Sequence, residues 1–113
     1  MPENDADFKS HSPGQGVLVV TPGVDIDMSR SPELRMILRG ALDGGTKKLV
    51  VDLAKVEYMD SSGLATLVEV MRLAKTHNAS LVLAALHEKV RAIFDIARLD
   101  QFFTIVDSID EAL

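Results

Sequence analysis

Apolar residues follow two rhythms along the chain. Val17-Leu18-Val19-Val20, Leu49-Val50-Val51 and Leu81-Val82-Leu83-Ala84 are short unbroken runs, the pattern of strands buried on both faces of a parallel or mixed sheet. Between them the apolar positions recur at helical spacing. Leu34, Ile37, Leu38, Ala41 and Leu42 form one stripe, opened by Ser31-Pro32 and stopped by Gly44-Gly45. A hydroxyl cap, a proline at the first helical position and a closing glycine are the expected punctuation of a helix. From Ser62 a second stripe comprises Leu64, Leu67, Val68, Met71 and Ala74, with Thr66, Glu69, Arg72 and Lys75 opposite, and His77-Asn78 closes it. Val90, Ile93, Phe94 and Ala97 mark a third helix ending at Leu99-Asp100. Phe102 to Val106 reads as a last strand, and Asp107-Ser108 caps a short terminal helix.

The start of the chain is less regular. Phe8 to His11 reads as an edge strand, joined to Val17–Thr21 by the turn-forming segment Ser12-Pro13-Gly14-Gln15-Gly16. Beyond Pro22-Gly23, Val24 and Ile26 alternate with Asp25 and Asp27, which extends that strand past a bulge. The order is β-β-α-β-α-β-α-β-α: an α/β domain with a mixed, largely parallel sheet of four to five strands and about four helices. Crossovers between parallel strands are right-handed by default.

At 113 residues the chain is one domain's worth. Its 47% apolar and 26% charged residues are globular in proportion, so a single core needs no staple. The absence of cysteine excludes disulfides, thiol catalysis and thiolate metal sites, and suits a reducing compartment. A net charge of −5 with a single Tyr and no Trp is poorly suited to nucleic acid. No apolar run approaches the ~20 residues of a membrane span. The opening MPENDADFKS lacks the basic and apolar regions of a secretion signal. The expectation is a cytoplasmic protein with no direct membrane insertion and a flexible polar tail over residues 1–7.

Catalytic equipment is sparse. His11, His77 and His87 show no metal-ligand spacing and read as exposed polar residues. Gly14-Gln15-Gly16 and Gly44-Gly45 precede strands, so neither cradles a phosphate before a helix. Neither an enzyme, a metal nor a cofactor is expected, and nothing supports nucleotide binding by the domain itself.

The informative segment is Met59-Asp60-Ser61-Ser62-Gly63-Leu64, where a long loop turns into the second helix. One reading is an N-cap, with Asp60 or Ser61 accepting a backbone N–H. Capping needs one polar side chain, however, and here there are three. Gly63 costs up to ~1 kcal/mol of helix propensity and leaves the hydroxyls accessible. A hydroxyl at a helix N-terminus is also a suitable phosphate carrier, because free N–H groups and the dipole stabilise the added charge. Val70 and Leu73 fall outside the apolar stripe. They either broaden the core face or extend a protein-binding patch beside Ser61.

KKLVVDLAKVEYMDSSGLATL resembles the core motif of STAS domains, in particular the bacterial anti-sigma factor antagonists. VDIDMSRSPEL is similar to that family's acidic strand-to-helix turn, and VRAIFDIARLDQFFTIVDSIDEAL to its C-terminal helix, last strand and terminal helix. The resemblance implies a STAS domain over 8–113 and makes Ser61 the phosphate acceptor. It also implies a partner serine kinase that is itself an anti-sigma factor, bound by the unphosphorylated form and released by the phosphorylated one. A metal-dependent serine phosphatase would reverse the modification. Asp27, Asp60, Ser62 and Gly63 are implied as partner-binding. Two positions depart from the family pattern: Val24 stands where the family has Gly before the acidic turn, and Arg98 where it often has Gly near the end of the third helix. The alternative is a non-switching STAS module, a subunit of a signalling scaffold or of a membrane transport complex.

Overall fold

The computed structural model describes residues 7–113. Its elements are β1 (Phe8–Gly14), β2 (Val17–Pro22), α1 (Ser31–Asp43), β3 (Lys48–Asp52), α2 (Ser61–Thr76), β4 (Ser80–Ala84), α3 (Glu88–Ile96), β5 (Thr104–Val106) and α4 (Ile109–Ala112). The five strands lie in sequence order, with β1 antiparallel to β2 and the rest parallel. This is the predicted mixed α/β sheet. The polar tail read at 1–7 falls outside the described residues except for Asp7. That residue is tied down: its carbonyl accepts from the Gly23 N–H at 2.8 Å, and its carboxylate pairs with Arg30.

Because the parallel strands advance across the sheet in one direction, crossovers of one hand must put their helices on one face. Leu34, Leu38 and Leu42 of α1, Leu67 and Val70 of α2, and Val90 and Phe94 of α3 all pack on the face of Val20, Leu49, Val51, Leu81 and Leu83. The alternate residues Val19, Val50, Val82 and Ala84 point the other way and are covered by Ala112 and Ile109 of α4. Strand period and burial therefore agree residue by residue. Phe94 meets Phe103 edge-on, with ring centroids 5.3 Å apart.

Several boundaries differ from the sequence reading. β2 ends at Pro22, and Ile26 makes only an isolated parallel bridge to Met59. Ser31 is buried in the first turn of α1 rather than capping it. Arg30 occupies the cap position without a side-chain bond, and the Asp27 carbonyl receives the Arg30 and Ser31 N–H groups at 3.0 and 2.8 Å. The buried face of α2 is Gly63, Thr66, Leu67, Val70 and Ala74, while Leu64, Val68 and Met71 are half-buried. The predicted stripe is turned by about a quarter of a revolution at 100° per residue, because α2 wedges against both α1 and β4. α3 stops before Ala97, which is exposed, because Arg98 takes a left-handed φ of +61°. Phe102 lies outside β5 and is exposed. Ser108 does cap α4, accepting from the Glu111 N–H.

Candidate functional site

Two loops at the C-terminal ends of adjacent parallel strands build the site: residues 23–30 after β2 and residues 53–60 after β3. Ligands of open α/β sheets gather at this end of the strands. Short backbone ties join the loops. The Ile26 N–H donates to the Tyr58 carbonyl at 3.1 Å, and the Asp60 N–H to the Ile26 carbonyl at 3.0 Å. Ile26 and Met59, at the centre of this clamp, are wholly buried. The residues on either side, Asp25 with Tyr58 and Asp27 with Asp60, are thereby directed outward.

Asp60 is the N-cap of α2. Its Oδ1 accepts from the Ser62 and Gly63 N–H groups at 2.9 and 3.3 Å, and from the Ser62 hydroxyl at 2.5 Å. The Ser62 hydroxyl bond, above all, holds the Asp60 carboxyl below the ordinary carboxylate range, while the nearby Asp27 charge pulls the other way. Asp27 closes a turn on itself: its Oδ1 accepts from the Ser29 hydroxyl at 2.6 Å and the Ser29 N–H at 2.9 Å. These bonds, the hydroxyl's first, lower its carboxyl too. Both carboxylates are thus ionised and fixed in direction beside each other.

The two serines that look alike in sequence are held differently. Ser62 is half-buried, with its hydroxyl committed to Asp60. Ser61 is exposed, and among the described residues its hydroxyl makes no hydrogen bond. Asp60 alone fulfils the cap, which leaves Ser61 available for chemistry at a helix N-terminus.

Gly63 does not serve access. It is buried, and a Cβ there would lie 2.6 Å from Met59 Cγ and 2.8 Å from Ile26 Cγ2. Its lack of a side chain lets α2 approach the clamp. Val70 is wholly buried and belongs to the core, so it forms no patch beside Ser61. The surface that runs on from Ser61 is instead the outer side of α2. There Leu64, Ala65, Val68 and Leu73 line a shallow groove of about 620 Å³, with Arg39 and Arg72 at its edges. Leu73, left open in the sequence between core face and surface patch, is half-buried at the groove. Leu64 and Val68 were not legible as surface, because their spacing also suits a core stripe.

Of the histidines, His11 and His87 are exposed as expected, whereas His77 is half-buried. His87 Nε2 lies 2.7 Å from the Ala54 carbonyl. His77 Nδ1 lies 2.9 Å from the Leu73 carbonyl, with its Nε2 3.3 Å from Asp43 Oδ1. Sequence reasoning passed over Asp25, whose carboxylate accepts from two amides more than thirty residues away. No local pattern marks such a contact. The only hint was an apolar-acidic alternation that reads as strand.

The STAS domain family model matches residues 13–112. The anti-sigma-B factor antagonist of Staphylococcus epidermidis is 32% identical over 80 residues, spanning 71% of this chain and 74% of that protein. Among solved structures, an anti-sigma factor antagonist from Mycobacterium paratuberculosis aligns with a TM-score of 0.81 at 24% identity, over 97% of this chain and 95% of its own. The Bacillus cell fate determinant SpoIIAA, in its phosphorylated form, aligns at 0.75 and 18% identity, over 93% and 95% of the two chains. At those identities the two structures show the shared fold. Among the described residues, no helix is long and apolar enough to cross a membrane.

Proposed function

The chain belongs to the STAS domain family, and on that footing we propose that it is an anti-sigma factor antagonist working as a phosphorylation-controlled binding switch. In its unmodified form it binds an anti-sigma factor that is also a serine kinase. Phosphate transferred from ATP to Ser61 releases that partner, and a metal-dependent serine phosphatase resets the chain. The observation that carries this reading is the division between the two serines: Asp60 caps the helix and engages the Ser62 hydroxyl, while Ser61 stands exposed, its hydroxyl without a partner among the described residues.

The physics of release is electrostatic. A phosphate adds about −1.5 to −2 charges, and at Ser61 it sits at the positive end of the α2 dipole, beside an Asp60 carboxylate that already takes the Ser62 and Gly63 N–H groups. Asp27 and Asp60 already make the surroundings negative. A partner surface fitted to a neutral hydroxyl there would face an unpaired dianion. That costs roughly 2–5 kcal/mol, or about 30- to 4,000-fold in affinity. Asp27, Asp60 and Ser62 frame the contact, and the groove along α2 gives the partner apolar area next to the acceptor. Gly63 contributes from beneath, through packing.

The test is labelling with ATP by the kinase captured on the immobilised chain. Ser61→Ala abolishes incorporation and Ser62→Ala retains it, while Ser61→Asp binds the kinase far more weakly than the parent. Label persisting in Ser61→Ala, or equal affinity of parent and Ser61→Asp, would overturn the reading. Equal affinity favours the non-switching module, which has no use for an acceptor hydroxyl.

A further inference from the structure

We propose that Asp25 is a positioning residue for Ser61, acting through the backbone of the loop that delivers it. The inference rests on the phosphoacceptor reading above and concerns how that acceptor is held. Asp25 Oδ1 accepts from the Glu57 N–H at 3.0 Å and the Tyr58 N–H at 3.1 Å. One residue further on, Ile26 takes the Tyr58 carbonyl and gives its own carbonyl to Asp60. Asp25 and Ile26 therefore hold both backbone groups of Tyr58 and the amides of Glu57 and Asp60. Asp60 in turn caps α2, and Ser61 is the first helical residue.

The surroundings explain why a latch is needed. Between the end of β3 and the start of α2 the chain runs through residues 53–60 with no regular hydrogen-bond ladder. Val56 and Met59 anchor it by burial, but Glu57 and Tyr58 between them are exposed. Two successive amides converging on one carboxylate oxygen form a chelate, which restricts the peptide planes of Glu57 and Tyr58 where side-chain packing does not. A displacement of about 1 Å at an acceptor can cost 10²-fold in a transfer reaction. Ser61 directly follows Asp60, whose amide the Ile26 carbonyl holds, so its placement is inherited from this stretch of backbone.

Asp25 is itself exposed, so its charge could instead meet the partner directly. The pair Asp25→Ala and Asp25→Asn separates the two roles, because the Asn side-chain oxygen still accepts from both amides but carries no charge. In the full chain, Asp25→Ala raises amide exchange at Glu57 and Tyr58 about tenfold, the worth of one ordinary hydrogen bond. It lowers kcat for Ser61 phosphorylation by about tenfold or more with KM nearly unchanged, and Asp25→Asn stays within about threefold of the parent on both measures. Parental exchange and kcat in Asp25→Ala would overturn the proposal. So would an Asp25→Asn variant as impaired as Asp25→Ala, which marks a charge contact. A parent chain that takes no label at Ser61 sinks the phosphoacceptor reading instead, and amide exchange still decides whether the latch exists.

Discussion

Replacing Gly63 with Ala sets two effects of known size against each other. Alanine in a helix is favoured over glycine by up to about 1 kcal/mol, so the substitution taken alone should stabilise α2. The new methyl, however, would sit 2.6 Å from Met59 Cγ, 2.8 Å from Ile26 Cγ2 and 3.2 Å from Ile26 Cβ. Met59 has flexible bonds, but it is 1% exposed, and Ile26 is 0% exposed, so neither can swing into solvent. Ile26 is also β-branched, and its backbone is clamped to Tyr58 and Asp60. Overpacking costs typically 1–3 kcal/mol, and two contacts under 3.0 Å against side chains that cannot move put this site in the upper half of that range, which leaves a net loss of about 1–2 kcal/mol. For a domain of this size that lowers Tm by roughly 5–10 °C. Gly40, on the exposed side of α1 with nothing within 4 Å of an added methyl, supplies the control. Gly40→Ala should gain about 0.5–1 kcal/mol. Thermal and urea unfolding followed by circular dichroism read both, with amide shifts at Ile26, Tyr58 and Asp60 reporting movement of the clamp. If Gly63→Ala is as stable as the parent, or gains like Gly40→Ala, the close-packing account of this glycine is wrong.

Arg98 holds a φ of +61° at the end of α3, a conformation in which glycine has no steric penalty. Arg98→Gly should therefore stabilise the domain by about 0.5 kcal/mol, read as a small rise in Tm, and a fall would contradict it. Asp27 and Asp60 have carboxyls lowered by hydrogen bonds in the folded chain, so the unfolded chain binds more protons than the folded one. Their contribution to stability is present above roughly pH 4 and is lost as pH falls through that range. Unfolding midpoints of Asp27→Asn and Asp60→Asn should depend less on pH there than the parent's, and an unchanged dependence would remove the link. Val70→Ala should cost about 0.5–2 kcal/mol because the side chain is fully buried. Leu73→Ala, from the half-buried edge of the groove, should cost less; urea midpoints in the reverse order would refute the assignment of the two faces.

The strands and helices were legible because their signals are local. Unbroken apolar runs gave β3 and β4, and Gly44-Gly45 gave the end of α1. Where the structure departs, the deciding contact is remote. α2 shows its Leu64–Val68 side to solvent because α1 and β4 compete for the opposite face, a contest no window of sixteen residues contains. Ser31 loses its capping role to Asp27, whose carbonyl reaches it through a turn of the preceding loop. Ser61 was legible through the motif around it, but its distinction from Ser62 rests on which hydroxyl the Asp60 carboxylate captures. Asp25 was invisible for the same reason, since its partners come from another loop.

The Ile26–Met59 bridge lies on the core side of the loops, and Ser61 lies outside it. Under the proposed switch, a phosphate on that hydroxyl would be separated from the sheet by this buried bridge, and its message would stay at the surface as a tag. Reading the tag falls to whichever protein docks there. On that proposal the domain would work as a rewritable label, one that passes from one listener to another without being refolded.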